Sequence, residues 1–146
     1  MNSMIHEYDI RFMKLAKEVS KFSDFKQTKM GAVITYKKEL ISVGYNSEKS
    51  NPMQEKFNHY RNFEHPENSK SKIHAEISAI SKLPWYVYEN DFQMKNACIY
   101  VFREHKCNHN LALSLPCPAC MAAIKANHIG RIVYTIEDGI KEIKLA

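Results

Sequence analysis

ACIYVFR (Ala97–Arg103), PCPACMAAIKAN (Pro116–Asn127) and RIVYT (Arg131–Thr135), read in that order, decide the fold. The outer two are short apolar runs rich in β-branched and aromatic residues, the composition of buried strands. From Cys117 to Asn127 the pattern is helical, and Pro118 is acceptable in a first helical turn. Strand, helix, strand predicts a parallel βαβ unit.

Working outward, Tyr8 to Phe22 places Ile10, Met13, Leu15, Ala16 and Val19 at roughly helical spacing and reads as an amphipathic helix. GAVITY (Gly31–Tyr36) and LISVGY (Leu40–Tyr45) read as strands, and the polar Lys37-Lys38-Glu39 between them predicts an antiparallel hairpin. Residues 46–72 are rich in Asn, Ser, Lys and Glu and contain Pro52 and Pro66; they read as one long connection, of the kind that often carries function. His74 to Leu83 reads as a helix stopped before Pro84. The tail from Gly139 to Ala146, with Ile140, Ile143 and Leu145, suits a short edge strand or a helix. The economical reading is one three-layer α/β domain over residues 1–146, with no internal repeat or linker.

Composition narrows the class. No stretch approaches the eighteen apolar residues of a membrane span, and Met1 to Tyr8 lacks an apolar secretory core, so the expected location is cytoplasmic with no membrane partner. There, four cysteines are poor evidence for disulfides, and a C-x-x-C pair points to metal or redox chemistry. The net charge of +5 suits an anionic substrate such as a nucleotide; it also suits nucleic acid, or simply a soluble surface.

Two segments supply the parts of one reaction. His74-Ala75-Glu76 and Pro116-Cys117-Pro118-Ala119-Cys120 form H-x-E followed by P-C-x-x-C, which resembles the zinc deaminase signature. His74, Cys117 and Cys120 give three zinc ligands and leave a fourth position for water. Cys117 and Cys120, three apart, share a helix face, where a helix start favours thiolates. Residues two apart do not share a face, so His74 binds the metal while Glu76 reaches the water. Zinc with two thiolates is nearly neutral and acidifies water weakly, which calls for a positioned base. In the expected chemistry, zinc-activated hydroxide attacks C4 of cytosine or C6 of adenine. Glu76 takes the proton, returns it to the ring nitrogen and helps ammonia leave. The bland rivals are a redox pair or a closed structural zinc, the latter needing a fourth ligand from another histidine.

Over most of its length the chain resembles the cytidine/deoxycytidylate deaminase superfamily. The matching stretches are Gly31-Ala32-Val33-Ile34, Gly44-Tyr45-Asn46, Ile73 to Glu76, Pro116 to Cys120 and Ile129 to Tyr134. The resemblance implies a mixed five-stranded sheet sandwiched by helices, hydrolytic deamination of a nucleobase, and a homo-oligomer. Within it, GAVI followed by GYN is most similar to the deoxycytidylate branch, phage-type members included, which implies a sugar contact for Asn46; the plain alternative is a turn residue. Ala75 joins Asn46 as a candidate substrate contact. So does Tyr134, at the end of a predicted strand, where ligands of α/β sheets bind.

Some segments depart from that pattern. Residues 47–72 are not the compact nucleotide segment of a typical cellular enzyme, and Lys49, Arg61 and Lys72 read as loop solvation more readily than as a phosphate site. His105, Cys107 and His109 are ligand types at no familiar zinc spacing, so one catalytic zinc and no second structural zinc is expected. Cys98 reads as core. Trp85, Tyr86, Tyr88 and Phe92 read as a core cover or subunit contact rather than a base-stacking platform. Three functions follow: conversion of dCMP to dUMP; the same chemistry on guanine or on a base in tRNA or single-stranded DNA, since Pro-Cys-Pro-x-Cys-Met also resembles those deaminases; and a zinc-stabilised binding module without catalysis.

Overall fold

A computed structural model describes residues 5–25, 28–60, 72–89, 93–105 and 109–145. Its elements are α1 (Glu7–Ser20), β1 (Met30–Tyr36), β2 (Glu39–Tyr45), α2 (Pro52–Asn58), α3 (Ala75–Ser81), β3 (Ala97–Arg103), α4 (Pro118–Ala126), β4 (Arg131–Ile136) and β5 (Gly139–Lys144). The five strands form one mixed sheet in the order β2-β1-β3-β4-β5. β3 and β4 are parallel, joined through α4, and the other neighbouring pairs are antiparallel. β2, β3 and β4 therefore run in one direction, and α3 and α4 both begin beyond carboxyl strand ends.

Alternation along the strands builds two cores. Val33, Cys98, Tyr100, Phe102 and Val133 meet Met13, Ala16 and Val19 of α1. Ala32, Ile34, Ile99, Val101 and Ile132 meet Ile77 and Ile80 of α3 and Ala123 and Ile124 of α4 on the opposite face. Helix, sheet and helix make the expected three layers. Burial of each such Ile or Val contributes about 1.5–3 kcal/mol.

α3 sits unusually close to the sheet. A Cβ at Gly44 would lie 2.2 Å from the Ala79 nitrogen and 2.7 Å from the Ala75 oxygen. Only glycine lets the helix rest on strand backbone there. The Ser42 hydroxyl donates to the Ala79 carbonyl at 2.6 Å and holds the contact.

Several expectations need correction. Residues 46–72 are not a plain connection, because they contain α2. Asn51 caps it, its Oδ1 accepting from the amides of Met53 (2.8 Å) and Gln54 (3.2 Å), and Pro52 opens its first turn. α3 and α4 each start one residue later than predicted, leaving His74 and Cys117 as extended N-cap residues. The tail is an edge strand, not a helix. Trp85, Tyr86 and Tyr88 do not cover the core: all three are exposed, Trp85 at 76%, and Val87 is the buried member of their turn. Phe92, Arg61 and Cys107 lie outside the described residues.

A buried charge cluster ties the layers together. Asp9 on α1 is fully buried and accepts from Arg131 on β4 at 2.7 and 2.9 Å and from the Tyr100 hydroxyl at 2.6 Å. Arg131 also pairs with Glu142 on β5. Burial alone would raise the Asp9 carboxyl, but hydrogen bonds from Arg131, the His6 amide and Tyr100 outweigh it and hold it below the usual carboxylate range. A depressed carboxylate stabilises the fold above its unfolded pKa and loses that contribution as pH falls through the folded one. Asp9→Asn is expected to cost about 3 kcal/mol at pH 7 and to flatten the acid loss of stability below about pH 4. Urea denaturation at pH 7 and pH 3 checks both.

Candidate metal centre

The centre is built from two helix starts. His74 (φ −83°, ψ 159°) caps α3 and Cys117 (φ −67°, ψ 168°) caps α4, both extended, and Cys120 lies in the first turn of α4. The first turns close through the Ser78 amide on the His74 carbonyl (2.9 Å) and the Met121 amide on the Cys117 carbonyl (2.8 Å). His74 Nδ1 lies 3.3 Å from Cys120 Sγ and 3.6 Å from Cys117 Sγ, and the three ligand atoms all fall within 4.8 Å of one another.

These spacings fit zinc. Tetrahedral bonds of about 2.3 Å to sulfur and 2.05 Å to nitrogen separate the two donors by about 3.5 Å. Among the described residues no fourth His, Cys, Asp or Glu joins the group, as a centre with one open position requires. Cys117 is pushed down to about 3, chiefly by the hydrogen bond from the Cys120 side chain and further by His74, against its burial. Cys120 moves the opposite way because it supplies that proton. The Cys120 thiol donates to the Cys117 sulfur, and a bound cation would hold both as thiolates.

Glu76 stands beside this group. It is 3% exposed, and its Oε1 has no hydrogen-bond partner. Burial is the main reason that its carboxyl holds a proton more tightly than usual. Because His74 lies outside the helix, its extended backbone, and not helical rotation between positions 74 and 76, separates the two side chains.

Neighbouring segments hold the ligands in place. Ser47 donates from its amide to the Ile73 carbonyl (3.0 Å) and Ile73 from its amide to the Lys49 carbonyl (2.9 Å), so the chain enters His74 from a closed loop base. Fully buried Gln54 of α2 accepts the His74 amide on Oε1 at 3.0 Å. Ahead of Cys117, buried Ser114 is wedged between strand ends: its hydroxyl donates to the Val101 carbonyl and accepts the Thr135 amide, each at 2.7 Å. Sequence reasoning missed Gln54 and Ser114. The Asn51-Pro52 helix start was the available signal for the first; nothing local marks the second.

The other candidates are dispersed. Asn46 is buried where β2 ends, its Oδ1 accepting the Met30 amide (2.8 Å) and its Nδ2 donating to the Thr28 carbonyl (2.7 Å). Ala75 opens α3 and is fully buried. Tyr134 is partly buried on the sheet face that carries α3 and α4. Lys72 is paired with Glu48. The His109 amide donates to the His105 carbonyl (3.0 Å) and the His109 ring meets Glu104 at 3.2 Å.

The family model described as "Cytidine and deoxycytidylate deaminase zinc-binding region" matches residues 6–136. No curated protein matches the sequence. In fold, the chain is similar to a cytidine deaminase from Burkholderia pseudomallei (TM-score 0.59, 16% identity, covering 97% of this chain and 94% of that one). It is also similar to a dCMP deaminase from the cyanophage S-TIM5 in complex with dCMP and dUMP (TM-score 0.56, 19% identity, 88% and 81%).

Gln54→Leu is expected to weaken zinc retention by roughly 10- to 100-fold, the usual cost of losing a group that orients a ligand. Gln54→Glu, which keeps an acceptor for the His74 amide, is expected to stay near wild type. Competition with a chromogenic chelator measures both.

Proposed function

We propose that this chain, which belongs to the cytidine and deoxycytidylate deaminase family, converts dCMP and water to dUMP and ammonia. The observation that carries the reading is the buried Glu76 carboxylate, with one oxygen unpaired, beside a three-ligand zinc site. A structural zinc site has no use for such a group, which is costly to bury unmatched. The choice of a deoxynucleotide is supported by the GAVI and GYN stretches and by the S-TIM5 enzyme that binds dCMP in a similar fold.

His74, Cys117 and Cys120 would hold the zinc, which when bound would supply an acidified, positioned water. Glu76 takes a proton from that water and passes it to N3 of the cytosine ring. The C4–O bond forms in that first step; Glu76 then carries the proton of the new C4 hydroxyl to the 4-amino group, and the C4–N bond breaks to release ammonia as the C4 carbonyl forms. The raised affinity of Glu76 for a proton, caused by burial, suits a group that must accept one and return it.

Ala75, at the start of α3, offers an amide without an intrahelical acceptor to the base. Tyr134 walls the pocket. Asn46 meets the sugar with the lone pair and the N–H that its two backbone bonds leave over. The same reading carries a homo-oligomer. Among the described residues no helix is long and apolar enough to cross a membrane.

Zinc-loaded protein incubated with dCMP, CMP, cytidine and guanine is expected to release ammonia fastest from dCMP. Glu76→Gln is expected to lower kcat by about 100- to 10,000-fold while one zinc per chain is retained. No turnover of any substrate overturns the proposal; wild-type kcat in Glu76→Gln overturns the proton shuttle.

A further inference from the structure

Among the described residues three buried side-chain atoms lack a hydrogen-bond partner: Glu76 Oε1, Asn58 Nδ2 and Arg103 Nε. The first belongs to the reaction above. Asn58 is 6% exposed and ends α2, the short helix packed against α3 and α4. Those are the two helices whose starts hold the metal ligands. An amide N–H buried without a partner costs about 1–3 kcal/mol, so a second unspent group in this layer needs an occupant.

The polarity of that group is fixed by a chain of hydrogen bonds. The His74 amide can only donate, so Gln54 must turn Oε1 toward it (3.0 Å). Gln54 Nε2 is then left facing Asn58, which must turn Oδ1 toward it (2.8 Å). Asn58 is thereby left with Nδ2 as its open end. The network decides the orientation of both amides, because flipping either sets donor against donor. The relay ends on a donor, with the acceptor Glu76 Oε1 open in the same layer. A cytosine nucleotide carries both complements: a 4-amino group, and oxygens on base, sugar and phosphate.

Resting on the nucleotide deaminase reading, we propose that Asn58 determines specificity at this site, its Nδ2 donating to an acceptor oxygen of the bound nucleotide. The amide of the metal ligand His74 sets that polarity through Gln54. A ligand that presents a donor at this point meets another donor and is rejected; one that presents oxygen is held. Metal ligand and substrate contact are thus oriented by one side-chain relay.

Two substitutions at different residues reverse the end of the relay. With its carboxyl ionised, Asn58→Asp keeps an oxygen for Gln54 Nε2 and replaces the open N–H with a second oxygen. Gln54→Glu, ionised, keeps an acceptor for the His74 amide but cannot donate to Asn58, whose amide then turns and leaves Oδ1 open; because burial favours the protonated acids, both are assayed up to about pH 9, where the carboxylates form. Each is expected to raise KM for dCMP about tenfold or more, with kcat within about threefold, the signature of lost ground-state binding. One zinc per chain is retained in both, measured by metal analysis, and the affinity for dUMP measured by calorimetry falls in parallel. A penalty present with dCMP but absent with deoxycytidine identifies the phosphate as the acceptor; a penalty with both identifies an oxygen of the nucleoside. If Asn58→Asp does not fold, Gln54→Glu carries the test. Wild-type KM in the folded, zinc-loaded variants overturns the relay while leaving the deaminase reading intact. A wild-type protein that neither binds nor turns over any of the nucleotides overturns the reading itself, and with it this occupant.

Discussion

The seat of α3 on the backbone of β2 is the contact on which the site depends. Gly44 leaves no side chain between helix and strand, and Ser42 pins the helix through the Ala79 carbonyl. His74, Ala75 and Glu76 all lie in the first turn of that helix or just before it. A helix held off by even one methyl group would carry the histidine ligand and the carboxylate away from the two cysteines. The ligand set tolerates little of this, since its donor spacings already match a bound ion. Close packing of ordinary groups therefore sets the geometry of the reactive ones.

The electrostatics are arranged in layers as well. Two thiolates neutralise a divalent cation, so the site keeps little net charge with which to activate water. Burial compensates by making Glu76 a stronger holder of protons. On the opposite face of the sheet, Asp9, Arg131 and Glu142 form a satisfied network that joins α1 to β4 and β5. Both faces bury carboxylates. On the α1 face Asp9 is matched by a guanidinium and a phenol; on the other, one oxygen of Glu76 is left open. That contrast separates the carboxylate used for structure from the one proposed to carry protons.

Much of this was legible in the chain. β-branched runs gave β1, β3 and β4 because these are buried on both faces, and the C-x-x-C and H-x-E segments stood out because metal chemistry restricts residue type and spacing. α2 was hidden in a polar stretch, since a seven-residue helix whose buried face joins Phe57 to the amides Gln54 and Asn58 offers little apolar periodicity to read. Its Asn51-Pro52 start was the one local sign. Gln54 and Asn58 look like solvent-exposed amides in sequence and are buried in the structure, because α2 packs against α3 and α4 and Gln54 meets the His74 amide on another segment. Of the two expectations for Trp85, Tyr86 and Tyr88, core cover fails, because the turn after α3 leaves all three exposed and buries Val87 instead; a subunit contact requires that exposure.

The sequence by itself determined which elements form, α2 apart, which residues can bind zinc, and that a carboxylate accompanies them, because propensity, patterning and ligand chemistry are local properties. Tertiary structure alone decided that two helix starts forty residues apart meet at one point. It alone decided that His74 stands outside its helix and that an amide relay from α2 holds its backbone. Those outcomes depend on how layers pack and on which buried donors find acceptors, and both are settled only between segments that the chain brings together on folding.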